Sequence, residues 1–164
     1  MPLHSDLPLP SILFVCLGNI CRSPLADAFY NMLITQKGYK GVVASAGTGS
    51  WHIGLAPDPR AQAVALRHGL DISSLRARQV ETNDFHRFDY IIAMDRQNIL
   101  DLEKIAPDQT KKHIHLLTDF HDGRDKTLQE IPDPYYGTDN DFELCFQSIR
   151  QCCYGLLQAL LARK

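Results

Sequence analysis

At 164 residues with 45% hydrophobic side chains, the chain is long enough for one compact domain with a sizeable core. A formal net charge of −2 supplies no basic excess for nucleic acid or an anionic membrane surface, and the apolar runs are too short for membrane insertion. The five cysteines are odd in number, two are adjacent and none forms a C-x-x-C pair, which argues against a secreted disulfide framework and a zinc ribbon.

Met1 to Pro10 has neither a basic start nor a long apolar centre, so it does not resemble a secretory signal, and a cytoplasmic address with reduced thiols is expected. Residues 1–11 are expected to be a flexible extension, with a single domain over 12–164. Ile12 to Val15 is apolar on both faces, the pattern of a buried parallel strand, and it ends at Cys16. Pro24 suits the first turn of a helix, where no backbone N–H is needed. Between them, Gly18 and Asn19 are the residue types that most readily take positive φ, so the loop N–H groups can curl toward one point and attract an anion.

Ser23 to Lys37 then carries apolar residues at helical spacing, including Leu25, Phe29, Met32 and Leu33, and Gly38 stops it. Val42 to Ala46 is a short second strand, followed by a Gly- and Pro-rich loop through Trp51 and His52 that is long enough to be functional. Arg60 to His68 reads as a helix ended by Gly69, and Asn83 to Asp89 as a short helical turn. Tyr90 to Met94 is a third strand, terminated by Asp95, and Ile99, Leu102 and Ile105 mark the next helix. Ile114 to Leu117 supplies a fourth strand, with His113 and His115 read as exposed positions beside Ile114. After a turn-rich segment, Phe142 to Leu161 forms a closing helix, on which the adjacent Cys152 and Cys153 should not both face the core.

Strand and helix alternating in this way predict a doubly wound α/β fold that binds ligands beyond the carboxyl ends of its strands. Cys16, Ser45 and Asp95 all lie at or near such ends, so three distant stretches converge on one edge. The specific signal is Cys16 followed six positions later by Arg22, an offset at which the other four cysteines lack an arginine. A helix start and a guanidinium favour the thiolate, the nucleophilic form, and Arg22 can hold two oxygens of a phosphate or similar oxyanion in its planar fork. A buried strand-end thiol is the competing reading of Cys16.

The run Val15-Cys16-Leu17-Gly18-Asn19-Ile20-Cys21-Arg22-Ser23-Pro24 resembles the signature of the low-molecular-weight protein tyrosine phosphatases, and Asp133-Pro134-Tyr135-Tyr136-Gly137 is similar to that family's acid loop. The resemblance extends through Ser45-Ala-Gly-Thr, Ala77-Arg-Gln79 and Phe88 to Asp95. It implies a three-layer fold with a central four-stranded parallel sheet flanked by helices, and a catalytic domain over 12–164. It also implies hydrolysis of phosphotyrosine through a cysteinyl-phosphate, without metal or other cofactor. By this resemblance Cys16 attacks phosphorus, while Arg22 and the amides of Leu17, Gly18, Asn19, Ile20 and Cys21 bind its oxygens. Asp133 protonates the leaving phenolate and then activates water, so its setting should favour the neutral carboxyl when a phosphate dianion is bound. Without the resemblance, Asp133 reads equally as a turn aspartate before proline.

The same likeness implies that Asn19 is left-handed and held by Ser23 and Ser45, that Ser23 stabilises the thiolate, and that Asp95 accompanies the arginine. An N-cap role for Asp95 is compatible with that. Trp51, His52, Tyr135 and Tyr136 resemble lining positions of the substrate pocket, where aromatic walls suit an aryl phosphate; core packing is the alternative for Trp51. Cys21 is close enough in sequence to form a reversible disulfide with Cys16, its alternative being a small packed thiol. One departure stands out, Leu75, where many members carry His, which removes a possible partner of the Asn19 network. Phosphotyrosine proteins, with a tyrosine kinase as a possible partner, are the expected substrates. An arsenate reductase using the same loop is the runner-up, opposed by the lack of a relay thiol between Cys21 and Cys145. A non-catalytic phosphotyrosine-binding module is disfavoured because nucleophile, arginine and acid are all present.

Overall fold

Five consecutive apolar residues cannot present one face to water, and Ile12–Cys16 (β1) lies fully buried inside a four-stranded parallel sheet in a computed structural model that describes residues 8–123 and 127–163. The strand order is β2-β1-β3-β4, with β2 Val43–Gly47, β3 Tyr90–Ala93 and β4 Ile114–Leu116. Cys16 stands opposite Gly47, and Val15 opposite Ala93, so the carboxyl ends of the three neighbouring strands share one edge.

The side chains of β1 alternate between two cores, one on each face of the sheet. Ile12 and Phe14 pack with α1 (Arg22–Gln36), α2 (Pro59–Arg67) and α5 (Asp139–Ala162). Leu13 and Val15 pack on the other face with Phe85 of α3 (Asp84–Arg87), Phe88, and Leu102 of α4 (Arg96–Ile105). The result is a three-layer α/β fold. Among the described residues no helix is long and apolar enough to cross a membrane.

Several sequence expectations need correction. The chain is already packed at Leu9, which is buried and donates its N–H to the Lys40 carbonyl at 2.8 Å, and Ser11 donates to Asp89. The boundary of the expected extension therefore falls before Ile12, while residues 1–7 lie outside the described residues. The closing helix starts at Asp139 rather than Phe142, because Thr138 and Asp141 form a capping box ahead of the first apolar residue. Cys152 and Cys153 are both buried, since α5 is covered by α1 and also by the 3-10 turn Leu117–Phe120.

The histidines also differ from expectation. His113 belongs to a 3-10 turn (Asp108–His113) and donates through Nδ1 to the Asp89 carbonyl at 2.8 Å. His115 is half-buried between Tyr90 and Phe120, and burial lowers its pKa below the usual imidazole value.

Gly155 is where α5 meets the 3-10 turn: a Cβ there would sit 1.7 Å from the Phe120 carbonyl oxygen, a backbone atom that no side-chain rotation can move away. Gly155→Ala is expected to destabilise the protein by about 1–3 kcal/mol in urea unfolding despite its better helix propensity, because overpacking outweighs the propensity gain.

Candidate active site

The segment joining β1 to α1 wraps around the Cys16 sulfur. The carbonyls of Cys16, Leu17 and Ile20 point outward, accepting hydrogen bonds from the N–H groups of Thr48, Gly49 and Asp58 at 2.8–2.9 Å. A trans peptide carries its N–H opposite its C=O, so the amides of Leu17, Gly18 and Cys21 face the other way, into the cradle. The Asn19 N–H points at the Cys16 sulfur from 3.3 Å. That curl requires a left-handed residue, and Asn19 has φ +56°, the sole non-glycine with positive φ among the described residues.

Asn19 is held in this conformation on both sides of its amide. Its Nδ2 donates to Ser23 Oγ at 2.8 Å and to Ser45 Oγ at 3.0 Å, and its Oδ1 accepts from the Arg78 backbone N–H at 3.0 Å. Arg78 is fixed in turn by a bidentate pair with the buried Asp84. Ser23 Oγ lies 3.0 Å from the Cys16 sulfur and 3.4 Å from the Ala46 carbonyl, so its one hydrogen has two acceptors.

Arg22 is 2% exposed, and its Nη1 donates to Asp95 Oδ2 at 2.7 Å and to the Ile131 carbonyl at 2.8 Å. Asp133 approaches the other guanidinium nitrogen at 3.6 Å. Burial opposes the charge, but Cys16, Asp95 and Asp133 outweigh it and raise the guanidinium pKa. Asp95 fills both roles open to it in the sequence, since it also accepts from the Asn98 N–H as the N-cap of α4.

Above Arg22 opens a cleft of about 430 Å³ whose floor is Cys16, Gly18, Cys21 and Arg22 and whose walls are Leu17, Ile20, Trp51, His52, Asp133, Tyr135 and Tyr136. Every position singled out from the sequence as phosphate-binding or pocket-forming, Asn19 excepted, lines it directly; Asn19, Ser23, Ser45 and Asp95 stand around the loop instead. Trp51 and Tyr136 project from the rim, 71% and 96% exposed, so Trp51 is not a core residue. Arg60 braces the acid loop by donating to the Tyr135 carbonyl at 2.9 Å, and is itself paired with Asp58, the N-cap of α2. Cys21 is buried beneath the cleft, and burial pushes its thiol up.

Several contributors escaped sequence reasoning. The Ile131 carbonyl and the Arg78 N–H act through the backbone, which carries no residue-type signal. Cys145, far from the loop in sequence, sits behind the acid loop and senses the charges of Arg22, Cys16 and Asp133, with burial pushing its thiol up to about 12. The Leu75 departure does not leave Asn19 loose: three hydrogen bonds hold it, and Leu75 packs against the main core.

The family model for low molecular weight phosphotyrosine protein phosphatase matches residues 11–164. The chain is 44% identical to the low molecular weight protein-tyrosine-phosphatase YfkJ of Bacillus subtilis, over 94% of this chain and 97% of that relative. It is 41% identical to the human low molecular weight phosphotyrosine protein phosphatase, over 90% and 94% of the two chains. A crystal structure of a protein tyrosine phosphatase from Entamoeba histolytica with Hepes in the active site superposes with a TM-score of 0.87 at 38% identity, covering 93% of this chain and 97% of that one.

Gly47 lets β2 end against the loop, for a Cβ there would lie 2.7 Å from the Leu17 carbonyl oxygen and 3.2 Å from the Asn19 nitrogen. Gly47→Ala is expected to leave the fold intact by circular dichroism yet weaken inorganic phosphate binding by calorimetry about tenfold or more, because the shifted amides no longer converge.

Proposed function

Because the chain belongs to the low molecular weight phosphotyrosine protein phosphatase family, we propose that it hydrolyses protein phosphotyrosine, and small aryl phosphates, through a phosphate ester of Cys16. The observation that carries this reading is the convergence of the Cys16 sulfur, the buried Arg22 guanidinium and the Asp133 carboxyl on one aromatic-rimmed cleft.

The substrate's phosphoryl group sits over the loop, where Arg22 and the inward amides take its non-bridging oxygens. Cys16 thiolate attacks phosphorus; the S–P bond forms as the bond to the phenolic oxygen breaks, and Asp133 gives its proton to that oxygen. A water then loses a proton to Asp133 and attacks phosphorus, the S–P bond breaks, and inorganic phosphate is released. The Ser23 hydroxyl donates a hydrogen bond to the returning thiolate across the 3.0 Å contact. Asp95 keeps the Arg22 fork oriented, and the Ile131 carbonyl occupies the nitrogen edge that substrate does not use.

Trp51, Tyr135 and Tyr136 flank the position of the phenyl ring, where aromatic contact contributes about 0.5–1.5 kcal/mol beyond burial and favours an aryl over an alkyl phosphate. The catalytic unit includes the packed residues from Leu9 onward and works in the cytoplasm on proteins phosphorylated by a tyrosine kinase. Under peroxide, Cys21 is placed in sequence to condense with a Cys16 sulfenic acid, giving a disulfide and water. Arsenate reduction on the same loop would need a further relay thiol beyond Cys21, whereas the next cysteine in the chain is Cys145, whose thiol burial pushes up to about 12.

Turnover of p-nitrophenyl phosphate tests the assignment. Cys16→Ser should abolish activity, Asp133→Ala should lower kcat about 10²–10⁴-fold, and Arg22→Lys should fail because a point charge does not reproduce the fork. Activity surviving Cys16→Ser overturns the mechanism, and thioredoxin-coupled arsenate reduction without phosphate hydrolysis would replace it.

A further inference from the structure

The Asp133 side chain is 42% exposed, so burial does not hold it, and other contacts must aim its carboxyl at the leaving oxygen. On one side of Asp133 the loop is anchored to the sheet: the Ile131 N–H donates to the Met94 carbonyl at 2.9 Å, and the Ile131 carbonyl accepts from Arg22. On the other side the hold comes from Arg60. Its Nη2 donates to the Tyr135 carbonyl at 2.9 Å, and its Nη1 reaches the Gly137 carbonyl at 3.4 Å. The Tyr135 N–H in turn donates to Asp133 Oδ1 at 3.1 Å. In a neutral carboxyl one oxygen accepts and the other carries the hydrogen; with Oδ1 accepting, the proton belongs on Oδ2, the oxygen that faces Arg22.

We infer that Arg60 is the positioning residue for the general acid, its guanidinium tying the carbonyls of the acid loop to the N-cap of α2 and, through that cap, to the nucleophile loop. The cap is Asp58. Its carboxylate accepts from Arg60 Nε at 3.1 Å and from Nη2 at 2.9 Å, and its N–H donates to the Ile20 carbonyl at 2.8 Å, one of the outward carbonyls of the cradle. The path from cradle to acid runs Ile20, Asp58, Arg60, Tyr135, Asp133, with a hydrogen bond of 3.1 Å or less joining each residue to the next. One planar fork thus spans the two loops that must meet at phosphorus.

Two features set this fork apart from a loose surface ion pair. The guanidinium carbon lies 4.5 Å from the ring centroid of Phe142, which is fully buried on α5, so the plane of the fork is fixed from one side. Asp58 is itself largely buried; burial opposes its charge, but the hydrogen bonds from Arg60 outweigh that and hold its carboxyl below the usual range. A lysine ammonium is a point charge and cannot meet Asp58 and both acid-loop carbonyls in these directions at once.

Removing Arg60 takes away the aim of the acid and leaves the acid itself, which predicts a selective loss. A basic phenolate needs the proton from Asp133, whereas 2,4-dinitrophenolate leaves without it. Arg60→Met should therefore lower kcat/KM on phenyl phosphate about tenfold or more, and on 2,4-dinitrophenyl phosphate less than about twofold. Added to Asp133→Ala it should cause no further loss, since the group it aims is gone. Inorganic phosphate binding by calorimetry should stay within about twofold, because the Asp58 N–H that holds Ile20 remains. The inference rests on Asp133 as the acid, and Asp133→Ala alone tests that: a loss independent of the leaving group overturns the acid and the role of Arg60 with it. Where Asp133→Ala does show the leaving-group dependence, the inference falls alone if Arg60→Met slows both substrates equally, slows neither, weakens phosphate binding, or adds in full to Asp133→Ala. Should Arg60→Met fail to fold, Arg60→Lys, which keeps the charge without the fork, is expected to show the same selective loss and is judged by the same outcomes.

Discussion

A guanidinium at 2% exposure is the constraint around which the molecule is arranged. Burying an ion costs several kcal/mol unless its hydrogen-bonding capacity is met, and removing one partner of such a pair is far more damaging than replacing both. Arg22 is met by Asp95 at the end of β3, by the Ile131 carbonyl ahead of the acid loop, and at longer range by Asp133. The partners come from two distant stretches of chain, Asp95 from one and Ile131 and Asp133 from the other, so satisfying one cation draws the carboxyl edge of the sheet together with a loop more than a hundred residues away. The guanidinium face over the cleft is what remains for an oxyanion. The fold and the binding site therefore share one electrostatic requirement.

A second constraint is geometric. The cradle depends on outward carbonyls, and those depend on amides of Thr48, Gly49 and Asp58 standing where they do. Gly47 permits that approach, and the left-handed Asn19 turns the chain within it. Asn19 in turn relies on two hydroxyls and one backbone N–H. The loop is consequently held from β2, α1 and the segment at Arg78 at once, and none of these contacts reaches the surface of the cleft.

What could be read from the sequence follows from this division. Both-face apolar runs announce buried strands, and strand-end residues announce an edge, so β1, β3 and the convergence of Cys16, Ser45 and Asp95 were accessible from pattern alone. Arg22 and Asp133 were accessible through their motifs. The Ile131 carbonyl and the Arg78 N–H were not, because any residue type supplies the same backbone group. Asp27 was hidden for another reason: an acidic residue on a helix normally faces water, whereas the first turns of α1 are buried on nearly every side, Asp27 included. Cys153 and His115 were misjudged in the same way, since periodicity within one element does not show that a second element covers its other side.

The aromatic rim has the opposite character to the cradle. Trp51, at 71% exposure, and Tyr136, at 96%, contribute little to either core, and Ile53 and Leu55 on the same loop are likewise more than half exposed. Substitutions at such positions typically change stability by less than about 0.5 kcal/mol. Selection can therefore rework the collar around the cleft almost independently of folding, whereas the loop beneath it is locked to the sheet. A lineage built on this scaffold is free to diversify in which partners it serves while its reaction stays the same.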